Sequence, residues 1–205
     1  MSDNSLPTKV EVEVTPKFGY TGTAICFIFG MLCIMFWGNM LGIFGPDAGI
    51  VIGFAQLGVF AAYHICAKGL YQNGLDFDGT IFMLFAALFG GVGGCFSVFG
   101  ALCHHFGVPY NDMVPGVVWL LSGILLIALL PVVIKQPKCG FLFYLFGGVG
   151  LTIMGLVTLG LIPADLLVPA AWSVFAAGIT GLYVCLSGLY GFAGKPLPLG
   201  KPFVE

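Results

Sequence analysis

The sequence predicts an all-α integral membrane protein, a bundle of six transmembrane helices, and three observations carry that prediction. Six long apolar runs fill most of the 205 residues, each near the roughly 20 residues a helix needs to cross a hydrocarbon core of about 30 Å. Charged residues are 8% of the chain and hydrophobic residues 59%, whereas a soluble domain is about a quarter charged. The seven cationic side chains are all lysines, and all of them sit at the ends of the runs or between them.

Residues 1–17 are polar and mixed in charge, with Asp3, Lys9, Glu11, Glu13 and Lys17 but neither a short apolar core nor a cleavage site, so they read as a solvated tail and not as a signal peptide. The spans follow within residues 18–192, from Phe18 to Phe44, Asp47 to Leu70, Gly79 to Leu102, Pro115 to Ile134, Cys139 to Ile162 and Leu166 to Phe192. His104, His105, Pro109, Asn111 and Asp112 separate the third from the fourth, and Lys135-Gln136-Pro137-Lys138 divides the fourth from the fifth. Residues 193–205 form a second polar tail.

Lysine placement predicts the orientation, because positive residues in short loops stay on the cytoplasmic side. Lys9 and Lys17 precede the first span, Lys68 ends the second, Lys135 and Lys138 follow the fourth, and Lys195 and Lys201 follow the sixth. These are alternate joints, so both termini are expected in the cytoplasm and both tails with them. The opposite joints carry Asp47, Asp112 and Asp165, each near a proline.

The chain has 32 glycines. Lipid supplies no hydrophobic force between helices, so small residues four apart let backbones approach instead. Gly38 and Gly42, Gly49 and Gly53, Gly90 and Gly94, and Ala177 and Gly181 have that spacing. The clusters Gly90-Gly91-Val92-Gly93-Gly94 and Gly147-Gly148-Val149-Gly150 suit either close packing or the lining of a solute path.

Polar groups at mid-membrane depth must find a partner or face water. Gln56 is the most polar of them, and it suits either an interhelical hydrogen bond or a place on a solute path. Thr23, Ser97, Ser122, Thr152 and Thr180 are weaker candidates, since a hydroxyl can bond back to its own helix. No carboxylate or lysine lies at the centre of a span, so proton coupling would ride on the solute or on a histidine. His64, one turn before Lys68, has a titration range that suits a pH-sensitive gate; it also suits simple packing at the membrane interface beside a snorkelling lysine.

Six of the seven cysteines are scattered singly through apolar helix, where a thiol acts as a small hydrophobe. Cys103-His104-His105 with Asp112 carries metal-ligand types without a zinc spacing. There is no phosphate-binding glycine loop, nucleophile elbow or HExxH. Neither an enzyme nor a cofactor, a metal or a nucleic-acid partner is expected.

Gly53-Phe54-Ala55-Gln56, followed by Asn73 and Gly74, then Trp172, Gly178 and Tyr183 spaced W-x5-G-x4-Y, and finally Leu197-Pro198-Leu199-Gly200 together resemble the acetate uptake transporter family, which includes the bacterial succinate-acetate permeases. The resemblance implies a monocarboxylate transporter or channel in the plasma membrane, a proton-linked symport, and a hexamer with one path per protomer. The family's N-terminal N-P-x-P-L-G-L stands here as Val14-Thr15-Pro16-Lys17-Phe18-Gly19-Tyr20, and a glutamate common in the family falls at Tyr63. The family's pore narrows at a Phe, a Tyr and a Leu from spans one, three and five, which fall at Thr23, Phe85 and Gly147. Only the aromatic on span three is kept, so the resemblance implies a wider or more polar constriction, and Tyr183 and Thr180 join Gln56 as candidates along the path. A small monocarboxylate such as acetate fits a chain without mid-depth cations better than a dicarboxylate does. A small neutral solute such as water, ammonia or an amide fits a wide uncharged path equally well, and a non-transporting scaffold is the third reading.

Overall fold

A computed structural model describes residues 21–45 and 47–204. The polar N-terminal tail and the degenerate motif from Val14 to Tyr20 therefore lie outside the described residues. The described chain is helical, and six of its helices are long and apolar enough to cross a membrane. We label them α1 (Gly22–Met40), α2 (Ala48–Gln72), α3 (Asp76–His105), α4 (Met113–Val133), α5 (Lys138–Thr158) and α6 (Leu167–Phe192), the last preceded by a 3-10 turn at Ala164–Leu166. This is the fold of a multi-pass membrane protein.

Glycines set most of the boundaries. Gly42, Gly74, Gly107, Gly160 and Gly194 all take positive φ just past a helix. In each case the next amide bonds back to a carbonyl five residues earlier, as Leu161 N does to Leu156 O at 3.0 Å, which satisfies orphan carbonyls at the helix end. This device stops α1 at Met40, short of the expected Phe44, and α5 at Thr158, short of Ile162.

Two helices are irregular inside the membrane. Within α3, Ala86–Val92 forms a π-helical turn. Its small residues permit the wider backbone, and Gly90 lets it lie directly on α2, where an added Cβ would meet the Phe60 backbone at 2.8 Å. α4 breaks at Leu129, because the Pro131 ring has no N–H to continue the ladder.

The helices follow one another around a ring. α1 packs on α2 and α6, α2 on α3, α4 on α5, and α5 on α6, while the seam between α3 and α4 is the sparsest. Small residues make the close seams, as expected of helices in lipid. A Cβ on Gly53 would stand 3.1 Å from Gly94 O, and one on Gly94 3.0 Å from Gly53 O. Gly30 and Gly178 meet in the same reciprocal way between α1 and α6, Gly150 meets α6, and Gly116 meets Gly155 O at 3.2 Å between α4 and α5.

Candidate functional site

The centre of the ring is closed by aromatic side chains from four helices. Phe29 and Phe36 come from α1, Phe85 and Phe89 from α3, Trp119 from α4 and Phe143 from α5, and all six are buried. Phe29 lies 4.3 Å from Phe143 by ring centroids, Phe36 lies 5.3 Å from both Phe89 and Trp119, and Phe89 lies 5.6 Å from Trp119. Tilted and edge contacts of this kind add about 0.5–1.5 kcal/mol per pair beyond area burial. Tyr63 and Leu126 complete the wall, and the space left among Phe29, Tyr63, Phe85, Leu126 and Phe143 is about 10 Å³, close to the least that holds one water.

A cavity opens on each side of this neck. At the end that carries the five described lysines, about 320 Å³ is lined by Gly22, Cys26, Asp78, Phe82, Gln136, Gly140, Phe143, Tyr144 and Leu199. At the other end, about 410 Å³ is lined by Asn39, Ser97, His104, Tyr110, Asp112, Trp119 and Thr158 among others. Phe143 and Tyr144 belong both to the first cavity and to the neck, and Trp119 belongs to the second cavity and touches Phe89. The result is an hourglass: two polar-rimmed vestibules with a narrow aromatic waist. Among the described residues no charged group lines the waist, so a hydrated ion would have to shed its water there with no fixed countercharge.

Behind the neck, Gln56 ties α2 to α3. Its side chain is fully buried. Its Nε2 donates to Phe89 O at 2.7 Å, and its Oε1 accepts from Ser97 Oγ at 2.7 Å. The π turn disturbs the regular carbonyl ladder of α3, and the amide of Gln56 supplies a donor where the turn presents Phe89. Ser97 itself faces the vestibule at the histidine end. Gln56 thus lines neither cavity, and it reaches the aromatic cluster through Phe89 and the histidine-end cavity through Ser97.

The other residues singled out in the sequence occupy different places. Phe85 is in the neck. Gly147 stands beside it, where a Cβ would meet Leu126 Cδ1 at 3.1 Å and Phe29 Cζ at 3.6 Å. Phe29 and Leu126 therefore fill the width that the missing side chains at Thr23 and Gly147 were expected to leave, and the waist is narrow and aromatic where a wide or polar one was expected. Thr23 lies a turn and a half below Phe29, against Gly188, in a side pocket shared with Cys26, Ser187 and Leu199. Thr180 Oγ1 turns back to Ala176 O and Ala177 O of its own helix at 2.9 and 2.8 Å. His64 is exposed on α2, its ring 5.3 Å from Phe60, and lines neither vestibule.

Tyr183 has a role that its motif did not disclose. Its hydroxyl donates to Pro198 O at 3.0 Å, and Ser187 Oγ donates to Leu197 O at 2.8 Å. With the bond from Cys139 N to Leu199 O at 3.1 Å, these pin the tail across the lysine-bearing end. Lys138 Nζ sits 5.1 Å above the Phe203 ring and Phe141 packs on the same ring, and Leu199 joins the vestibule wall. At the opposite end His104 Nε2 lies 3.0 Å from Asp112 Oδ1, and His105 Nδ1 lies 3.4 Å from Asp47 Oδ1. Cys103 is buried. Among the described residues no three metal-ligating groups converge.

The neck residues Phe29, Phe36, Phe89, Trp119, Leu126 and Phe143 were not singled out in the sequence. The available signal was helical spacing: Phe29 and Phe36 are seven apart, and Phe85 and Phe89 four apart. Twenty phenylalanines spread over all faces of the helices hide that signal.

Comparison with protein-family models finds no match, and comparison with curated protein sequences finds none either. Among solved structures the fold matches that of a membrane channel: the structure of the bacterial acetate channel SatP superposes with a TM-score of 0.67 at 19% identity, over 90% of this chain and 100% of the other. The likeness is one of fold along the whole bundle.

Proposed function

We propose that this protein is a membrane channel or transporter for small monocarboxylates such as acetate, and that the solute passes along the centre of the helix ring. The hourglass supports this reading: vestibules of about 320 and 410 Å³ meet at an uncharged aromatic neck. The fold it shares with a bacterial acetate channel supports the choice of solute class. An uncharged neck favours the protonated acid over the anion, because the acid crosses without abandoning a full hydration shell; this links flux to protons carried on the solute itself. The protein works without catalytic chemistry, as a homo-oligomer, the hexamer implied by the family resemblance, in the plasma membrane. The lysine-bearing end, with both tails, faces the cytoplasm, in keeping with the retention of positive joints.

A neutral solute of similar size, such as acetamide, fits the same neck, and one experiment separates the readings. Labelled acetate and labelled acetamide are offered to proteoliposomes with and without an acid-outside pH gradient, each against protein-free vesicles. Acetate flux above the protein-free rate, raised by the gradient, is the expected result. Acetamide flux without acetate flux would replace the acid by a neutral solute, and flux of neither would leave a scaffold.

A further inference from the structure

We propose that the hydroxyl of Tyr63 is the hydrogen-bonding group that receives the solute's carboxyl at the neck. This rests on the monocarboxylate reading and deepens it by naming the residue that would select for a polar head.

Tyr63 is wholly buried, and among the described residues its hydroxyl has no hydrogen-bond partner. It lines the small central void together with Phe29, Phe85, Leu126 and Phe143, between the two vestibules. A buried donor left unpaired costs free energy that a phenylalanine at the same place would avoid. Such a group calls for a partner that comes and goes, and the void beside it is where a passing solute must be.

Among the described residues three other buried polar atoms lack partners, and none of them fits that role as well. Ser122 Oγ and Thr152 Oγ1 are on short side chains that can rotate to a carbonyl of their own helix. Trp37 Nε1 lies in a cluster with Trp172 and Phe175 near the end of α1, and does not line the neck. The Tyr63 hydroxyl is carried at the tip of a rigid ring, so it cannot fold back to its own backbone. That ring is held edge-on to Phe82, 5.8 Å away, and Phe82 lines the vestibule at the lysine-bearing end.

A phenol hydroxyl both donates and accepts. It can donate to the carbonyl oxygen of an acid and accept from the acid's O–H, or donate to a carboxylate oxygen. Phe29, Phe85, Leu126 and Phe143 offer only apolar contact to the methyl end. A small molecule with one polar head and one apolar end is the chemistry this wall matches, and the tightness of the wall limits the length of the apolar part.

The test is Tyr63→Phe, which removes one oxygen and keeps the ring. Acetate flux in proteoliposomes should fall roughly tenfold, the loss of about one good hydrogen bond at the barrier, while the melting temperature in detergent stays the same or rises. Unchanged acetate flux would overturn the proposal. So would a lowered melting temperature, which would show that the hydroxyl has a structural partner. If the unaltered protein carries acetamide and not acetate, the acid reading fails separately, and equal acetamide flux in both proteins would then sink the donor role as well. A protein that carries neither sinks both.

Discussion

α3 and α6 stand on opposite walls of the ring, and they are built differently. α6 is a continuous α-helix that approaches α1 and α5 through Ala170, Ala177, Gly178 and Gly181, and its hydroxyls are satisfied on carbonyls, as Ser173 is on Phe146 O at 2.9 Å. α3 is interrupted by a π turn, is pinned to α2 by the Gln56 amide, and meets α4 along the sparsest seam of the bundle. The regular wall supplies small residues to close seams. The irregular wall supplies Phe85 and Phe89 to the neck. Irregular backbone at membrane depth is tolerated only where protein or a cavity satisfies it, and π turns occur often at functional positions in helices. The difference is therefore between a side built of close small-residue seams and a side whose irregular backbone carries aromatic rings into the centre of the ring.

Three experiments would break or sharpen that contrast. The largest effect is expected where α5 meets the regular wall, from Gly150→Leu. A Cβ there would stand 2.6 Å from Val174 Cγ2 and 3.0 Å from both Ala170 O and Val174 N, and backbone cannot step aside. Overpacking of this kind should cost at least about 3 kcal/mol, read as a collapse of the melting temperature in detergent. Gly147→Leu, three residues earlier, meets only the side-chain ends of Leu126, Phe29 and Ala177. Its stability loss should be much smaller, and its flux ratio of acetate to butyrate should rise. Equal destabilisation by the two variants would show that the neck is ordinary packed core.

Next in size is Gln56→Leu. The substitution leaves Phe89 O and Ser97 Oγ without their partner, at roughly 1–3 kcal/mol. Thermal stability should fall by a corresponding few degrees, and acetate flux should change because Phe89 is no longer held. A variant as stable as the parent would mean that the π turn holds itself.

The smallest effect belongs to the tail. Tyr183→Phe removes an exposed hydrogen bond to Pro198 O that should contribute under about 1 kcal/mol. Melting should hardly move, whereas proteinase K should cut faster between Lys195 and Lys201, for instance after Leu199, since that segment lies over the lysine-bearing end. Unaltered cleavage would show that Ser187 and the Cys139 amide suffice to pin it.

Much of the fold was legible in the sequence. Span number, span order and the segregation of lysines from the other joints follow from local composition, and the helices lie within a few residues of where hydropathy puts them. The glycines that end α1, α2, α3, α5 and α6 are local signals too, though only the structure separates Gly42 or Gly160, which stop a helix, from Gly53 or Gly150, which pack one. The site was less legible. Phe85 and Gly147 were placed at the waist through the family resemblance. Phe29, Phe89, Trp119, Leu126 and Phe143 were not singled out, and the bond from Tyr183 to Pro198 O in the tail was not foreseen from its motif.

The reason is that a membrane helix has three apolar surroundings: lipid, neighbouring helices and, in this protein, an aromatic neck. In a soluble protein the contrast between water and core marks the inward face of each helix. Here no face is polar, so periodicity says little about which residues look inward. Sequence by itself determined what lipid demands of each segment separately: length, apolarity, charged ends and small residues. Only the tertiary structure decided what depends on several helices at once: the ring order, the π turn that carries Phe89, the partners of Gln56 and the meeting of four other helices' side chains around Tyr63. Those are contacts between residues tens of positions apart, and their geometry is settled when glycine seams bring the backbones together.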